Sequence, residues 1–89
     1  MKVTLKKNST TMICRAGKEY NFSLGEKEIQ DHGFQVVDYL VENIVCHMCK
    51  GEEIFVEGNS LQATMIGRKL EDKIKRDVVF INENRMVYL

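Results

Sequence analysis

The sequence predicts an α+β domain in which an antiparallel sheet of short strands packs against one main amphipathic helix. Two observations support this fold class. Short stretches in which apolar and polar residues alternate lie on both sides of the chain's centre, as expected for half-buried strands. Between them, residues 33–50 carry apolar side chains at helical spacing. The predicted order is β-β-β-α-β-β-β-β, in a single domain of residues 1–89.

Three strands are predicted before the helix. Residues 2–7 and 10–15 are rich in β-forming residues and are separated by an Asn-Ser turn, which predicts a first hairpin. Residues 19–24 alternate large apolar side chains with polar ones, a pattern typical of a strand with one buried face. Gly25 ends this strand, and we expect residues 26–29 to form a short extended piece.

The central helix is predicted from its two ends and its apolar stripe. Asp31 is the expected N-cap, because its carboxylate can accept from free backbone N–H groups. Gly51 is a natural C-terminal stop. Gln35, Asp38 and Glu42 fall outside the apolar stripe, on the other side of the helix. At about 100° per residue, the stripe consists of Phe34, Val37, Leu40, Val41, Ile44, Val45 and Met48.

The segment after the Gly-Asn turn fits a helix poorly. On a helical wheel Leu61 and Met65 point away from Ile66, so one helix through this segment lacks a single apolar face. Alternation fits its first half better. We therefore expect a strand over residues 60–66, followed by a short helical turn or charged connection over residues 67–76.

The remaining strands complete the predicted sheet. Residues 53–57 form a short apolar strand that we expect to pair with 60–66. Residues 77–82 and 85–89 are strand-like and are predicted to form a closing hairpin. The chain contains no proline, and neither a linker nor a repeat divides it.

The charges are balanced overall but segregated along the chain. Thirteen basic residues match thirteen acidic ones, so the strong positive charge usual in nucleic-acid-binding domains is absent and a nucleic-acid partner is not expected. Residues 1–18 carry five basic and no acidic residues, whereas residues 19–57 carry nine acidic and two basic ones. An acidic middle favours a basic protein partner, with Gln35, Asp38 and Glu42 as the contact residues.

The sequence gives no sign of a membrane or secreted protein. No stretch approaches the roughly 20 apolar residues that span a bilayer, and the first residues lack the apolar region of a signal peptide. Three cysteines in such a chain indicate free thiols in a reducing compartment. We therefore expect a cytoplasmic protein without a membrane partner.

Cys46 and Cys49 form a C-x-x-C motif, which is common in zinc sites and in disulfide exchange. Structural zinc takes four ligands, so Cys14 and His32 would have to complete the set from other elements. Exchange is disfavoured because the pair lies near a helix C-terminus, where the dipole opposes a thiolate. The favoured hypothesis is that both sulfurs face water as unreactive thiols. No cofactor is then expected, with zinc as the alternative.

No residue set in the sequence is typical of an enzyme. Nucleophilic catalysis needs a base within reach of the thiol, and nothing in the sequence brings Cys14 and His32 together. The six glycines are dispersed rather than gathered in a phosphate-binding loop. We therefore predict a protein without enzymatic activity.

The first half of the chain resembles small tailed-phage proteins. Residues 17–29 contain G-x-x-Y-x-F followed by a G-E turn, and residues 36–40 end in a Y-L pair on the predicted helix. Over residues 1–45 this order is similar to modules of phage head, tail or accessory components. The resemblance implies a non-enzymatic role in assembly or binding, in the host cytoplasm or the virion.

These observations predict a small protein–protein interaction protein, either a homo-oligomer or bound to another protein. In the version that the resemblance implies, it is a phage-encoded structural or accessory component. One alternative is an anti-CRISPR-like inhibitor that binds a basic partner through the acidic surface. The other is a small zinc-binding interaction module built on Cys46 and Cys49.

Overall fold

The computed structural model describes residues 1–82 and confirms the α+β class. Within residues 1–82, three helices pack with a five-stranded sheet. The buried residues of this part of the chain form a hydrophobic core, to which strands and each of these helices contribute. The elements in chain order are β1 (Lys2–Leu5), β2 (Thr10–Ile13), β3 (Glu19–Phe22), α1 (Glu26–His32), α2 (Phe34–His47), β4 (Phe55–Gly58), α3 (Ser60–Ile74) and β5 (Val79–Asn82).

The sheet is mixed, so the prediction of a wholly antiparallel sheet was wrong. Its strand order is β3-β2-β1-β4-β5. The pairs β1–β2 and β2–β3 are antiparallel, whereas β1–β4 and β4–β5 are parallel. Parallel neighbours need a long crossover, usually a helix. The helix α3 supplies that crossover between β4 and β5, and it was missed in the sequence.

Residues 60–66, predicted as a strand, form the first half of α3. The Asn59 side chain caps this helix by accepting the Leu61 N–H at 3.0 Å. The core-facing side chains are spaced for a helix: Ala63, Ile66 and Leu70 are all buried. The apparent alternation depended on Leu61, which is 66% exposed and therefore does not belong to the core.

Residues 26–29, predicted as extended, belong to helix α1. The Gly25 N–H donates to the Glu28 carboxylate at 2.7 Å and so stabilises the start of this helix. Asp31 lies inside α1 and is not the N-cap of the main helix. That cap is Gly33, whose φ of 61° separates α1 from α2 and is a conformation that glycine adopts without steric cost.

The main helix α2 lies where it was predicted, although it ends at His47 rather than near residue 50. Most of its apolar stripe is inside: Val37, Leu40 and Ile44 are fully buried. Phe34 is the exception, because 57% of it is exposed. An aromatic side chain at the start of α2 is thus left on the surface.

The last described strand joins the sheet beside β4. β5 runs parallel to β4, with Phe55 opposite Val79, a pairing that the sequence did not predict. The predicted strand at 85–89 lies outside the described residues.

Candidate functional site

The acidic residues predicted to bind a partner lie along the boundary between α2 and α3. Asp38 Oδ1 is 3.6 Å from Lys69 Nζ, and one turn later the Glu42 carboxylate pairs with Lys73. All four side chains are largely exposed. We call these four residues the charged seam. Because each carboxylate has a lysine beside it, the seam carries no net charge.

The charged seam also reveals the direction of the two helices. Successive turns of α2 pair with successive turns of α3, so the helices run the same way.

The hydrogen bond from Lys73 to the Glu42 carboxylate raises the pKa of the lysine. Gln35, the third residue of the predicted surface, is exposed about one turn before Asp38. Exposed ion pairs of this kind contribute little to stability.

An apolar groove adjoins the seam between the first turn of α2 and the outer face of α3. Its volume is about 480 Å³. Phe34 of α2 meets the outer side of α3 there, and the Lys69 ammonium lies 5.2 Å from the centre of the Phe34 ring. The residues that line this α2–α3 groove are Phe34, Leu61, Thr64, Met65, Arg68, Lys69 and Asp72.

The groove exists because α3 has two apolar faces. At about 100° per residue, Leu61 lies roughly opposite Leu70 around the helix, and Leu70 is fully buried in the core. These two faces are the reason why the helical wheel of this segment lacks a single apolar face. Leu61 belongs to a second apolar surface, which Met65 extends while it also packs against the core. Concave apolar surfaces with a few polar groups at the rim are typical ligand or partner sites.

The C-x-x-C motif is divided between two environments. Cys46 lies within α2 and is exposed, as predicted. Cys49 lies beyond the end of α2, is half-buried against the core, and its thiol makes a hydrogen bond with Cys14. The prediction that both sulfurs face water was therefore right for Cys46 and wrong for Cys49.

The histidines of the proposed metal site lie in other surroundings. His32 is an exposed residue at the end of α1. His47 Nδ1 is 2.7 Å from the Asn43 carbonyl oxygen, and its ring packs on Tyr20 with the ring centres 4.2 Å apart. Within residues 1–82, no group of three or more His, Cys, Asp or Glu side chains is arranged to hold a metal ion. The four predicted zinc ligands are thus not gathered at one point.

Cys14 occupies the end of β2, at the start of a tight turn. The Gly17 N–H donates to the Cys14 carbonyl at 2.9 Å, which folds the following backbone N–H groups toward the sulfur. Burial of Cys14, which is 6% exposed, opposes ionisation. Backbone N–H groups of Lys18 and Ala16 and the Cys49 thiol outweigh it, so the pKa of the Cys14 thiol is lowered, even though the nearby Glu52 carboxylate acts to raise it.

Glu52 holds this region together through its hydrogen bonds. Its side chain is 3% exposed. One carboxylate oxygen accepts from the Met1 ammonium and the Arg15 N–H, while the other accepts from the Cys49 N–H at 2.7 Å. Burial acts to raise the pKa of Glu52, but these three donors prevail and lower it. We call Cys14, Cys49 and Glu52 the thiol cluster.

Comparisons with known proteins find no match for this chain. This holds for protein-family models, for curated proteins and for solved structures. None of the helices within residues 1–82 is long and apolar enough to cross a membrane.

Proposed function

We propose that this chain is a small non-enzymatic protein–protein interaction domain whose docking surface is the α2–α3 groove. The observation that carries this proposal is the second apolar face of α3. Leu61 is 66% and Phe34 is 57% exposed, side by side in one groove. Burying a large apolar side chain is worth about 1.5–3 kcal/mol. Folding leaves these two side chains exposed, so a partner that covers them gains this free energy on binding.

The chemistry of the groove favours an amphipathic helix that carries a carboxylate beside its apolar residues. Arg68 and Lys69 line the groove beside Asp72. However, Arg68 pairs with Glu71 at 3.1 Å and Lys69 with Asp38 at 3.6 Å, so the helix ends supply the uncompensated positive charge. The first turns of the described helices α2 and α3 contain no acidic residue, so the positive ends of their dipoles are not offset from within. Glu26 of α1 accepts the Asn59 N–H at 2.9 Å, which reduces this effect at α3 more than at α2. Helix-in-groove recognition uses apolar side chains spaced one turn apart.

A basic partner is less well supported. The anti-CRISPR-like alternative needs a net negative surface, and Asp38 and Glu42 are each paired with a lysine. The phage-encoded structural or accessory role, which the resemblance of residues 1–45 implies, is compatible with the proposed docking surface. It concerns the identity of the partner rather than the way in which the groove binds it.

Peptide selection tests the proposal with synthetic partners. A library of helical peptides with randomised faces is displayed and selected on the folded protein. We expect enrichment of peptides with apolar residues one turn apart and an acidic residue beside them. Binding should be lost with Leu61→Asp, since a carboxylate then replaces the apolar contact in the groove.

The matched control is Tyr39→Asp. Tyr39 is an exposed aromatic residue of α2, packed edge to face on Phe22 with ring centres 6.3 Å apart, and it does not line the groove. This variant should retain binding. Enrichment of basic peptides would contradict the proposal in favour of the acidic surface. Self-association that Leu61→Asp abolishes, with no peptide enriched, would instead make a second copy of the chain the occupant.

A further inference from the structure

The C-x-x-C motif pairs Cys49 with Cys46, but in the structure its neighbour is another thiol. The sulfur that contacts Cys49 belongs to Cys14, which lies on a different element and far away in sequence. The backbone supports this contact independently, because the Glu52 carboxylate accepts from the N–H groups of both Arg15 and Cys49. The backbone next to Cys14 and the backbone of Cys49 are therefore anchored to the same carboxylate.

We propose that Cys14 and Cys49 form a dithiol site that reacts with small disulfides of the glutathione type and closes to a Cys14–Cys49 disulfide. This site is separate from the α2–α3 groove and does not depend on the function proposed for it. It assigns different roles to the two thiols and none to Cys46.

Cys14 is the attacking thiol. Its sulfur is surrounded by donors, namely two backbone N–H groups of the turn that follows it and the thiol of Cys49. Such donors stabilise a thiolate, which is the reactive form in disulfide exchange. The hydrogen bond leaves the proton on Cys49, so the same contact activates Cys14 and holds Cys49 ready as the resolving thiol.

A small reagent has a path to this sulfur. Cys14 lines a surface pocket of about 320 Å³ together with Met1, Ile13, Arg15 and Phe55. The pocket is mainly apolar at its wall, while Glu52 lies at its base with both carboxylate oxygens engaged. A pocket of this size has room for one arm of a small disulfide.

The reaction proceeds in two balanced exchange steps. The Cys14 thiolate attacks one sulfur of the small disulfide, so the Cys14–sulfur bond forms as the reagent's own bond breaks and one small thiolate leaves. Cys49, on losing its proton, attacks the Cys14 sulfur and releases the second small thiolate. The protein loses two electrons, the reagent gains them, and the protons of Cys14 and Cys49 end on the two released thiols.

The backbone can accommodate the bond because both cysteines lie at element ends. Cys14 begins a turn after β2, and Cys49 lies in the loop between α2 and β4. A disulfide requires the sulfurs to approach to about 2.05 Å, so forming the bond moves the two chain segments toward each other from hydrogen-bond contact. Cys46, by contrast, is exposed on the preceding turn of α2.

The test is oxidation of the full chain with oxidised glutathione at neutral pH, read by intact mass and peptide mapping. We expect wild type to lose two hydrogens and to contain a Cys14–Cys49 bond. Cys46→Ser should give the same product. Cys49→Ser should lose the internal bond completely and stop at a mixed disulfide on Cys14. A Cys46–Cys49 bond, or a Cys49→Ser protein that carries its adduct on Cys46 and none on Cys14, would overturn the proposal.

The pH profile of the reaction separates an activated Cys14 from a merely neighbouring one. In Cys46→Ser the groups that face Cys14 are the Cys49 thiol, the Glu52 carboxylate and, behind it, the Met1 ammonium. The rate should rise with a midpoint below the ordinary thiol pKa of about 8.5. A midpoint at or above that value would contradict the assignment of Cys14 as the attacking thiol.

Discussion

The two ends of α2 differ in what they leave exposed and in what they bury. At the N-terminal end the aromatic ring of Phe34 remains on the surface beside Leu61. At the C-terminal end the chain turns back and buries a carboxylate, Glu52, and a thiol, Cys14. Exposed apolar surface and buried polar groups are both unfavourable unless something compensates for them.

At the C-terminal end of α2 the buried polar groups are compensated by contacts within the chain. At the N-terminal end the exposed apolar side chains are not. Glu52 has three donors, one of them a positive ammonium group, so its burial is fully offset within the fold. Phe34 and Leu61 have only a partial cover from each other and from Lys69. The C-terminal end of α2 is therefore satisfied within the fold, whereas the N-terminal end leaves apolar surface exposed, and there we propose that a partner binds.

The largest expected effect is the loss of stability on Glu52→Gln. The amide leaves the Met1 ammonium without its counter-charge, and its own NH₂ group faces backbone N–H donors that the carboxylate accepted from. Breaking a buried pair in this way costs about 3–5 kcal/mol. Urea unfolding measures the change. Glu42→Gln, in the exposed seam, is the matched control and should cost about 1 kcal/mol or less. Equal effects for the two variants would contradict the contrast between these carboxylates.

Oxidation of the thiol cluster should stabilise the fold by an amount of similar size. A Cys14–Cys49 bond closes a loop of about 35 residues, for which loop-closure entropy predicts about 3–4 kcal/mol. Thermal unfolding of the oxidised and reduced Cys46→Ser protein compares the two states in the absence of the third thiol. An oxidised form that is no more stable than the reduced one would indicate that the bond strains the fold.

Stability should fall in acid because the pKa of Glu52 is lowered in the folded state. Such a group stabilises the fold above its unfolded pKa, about 4.3 for a glutamate, and the contribution is lost as the pH falls through the folded value. Urea midpoints measured across this range should decline more steeply for wild type than for Glu52→Gln. Parallel declines would mean that other carboxylates dominate the acid response.

At the other end of α2 the expected effect is on binding rather than stability. Leu61→Asp replaces an exposed side chain, so unfolding should change by no more than about 0.5 kcal/mol, while binding of the selected peptides is lost. A large loss of stability would mean that Leu61 supports the core and not a docking surface.

The smallest effect is expected from the charged seam. Reversing Asp38 and Glu42 to lysine removes two exposed ion pairs, each worth about 1 kcal/mol or less. Peptide binding in the groove should not weaken, because Lys69, which lines the groove, loses its pairing with Asp38 and can meet the carboxylate of the peptide. A marked loss of binding in the double variant would restore the acidic face as the contact surface.

The sequence correctly predicted elements whose apolar side chains mostly face the core. The helix α2 was found because Val37, Leu40 and Ile44 face one core. The helix α3 was missed because Leu61 was assigned to that same core, although it lines a different surface, while Met65 both lines the groove and packs against the core. Local pattern fails where a side chain serves something other than the fold, and such positions are expected at functional sites.

The thiol cluster could not be predicted because its contacts are long-range. Glu52 joins Met1, Arg15 and Cys49, and no local spacing indicates that these meet. The C-x-x-C motif directed attention to Cys49 but paired it with its sequence neighbour. The mixed sheet explains the difference, because the parallel pairing of β1 with β4 brings the start of the chain beside residues 52–55.

The most direct test of the division between the two ends is an NMR titration of the labelled wild-type protein with a peptide selected on it. We expect the largest amide shifts at Phe34, Leu61 and Met65, while the amides of Cys14 and Cys49 remain unchanged. Largest shifts at the two cysteines, with the groove amides unmoved, would contradict this division.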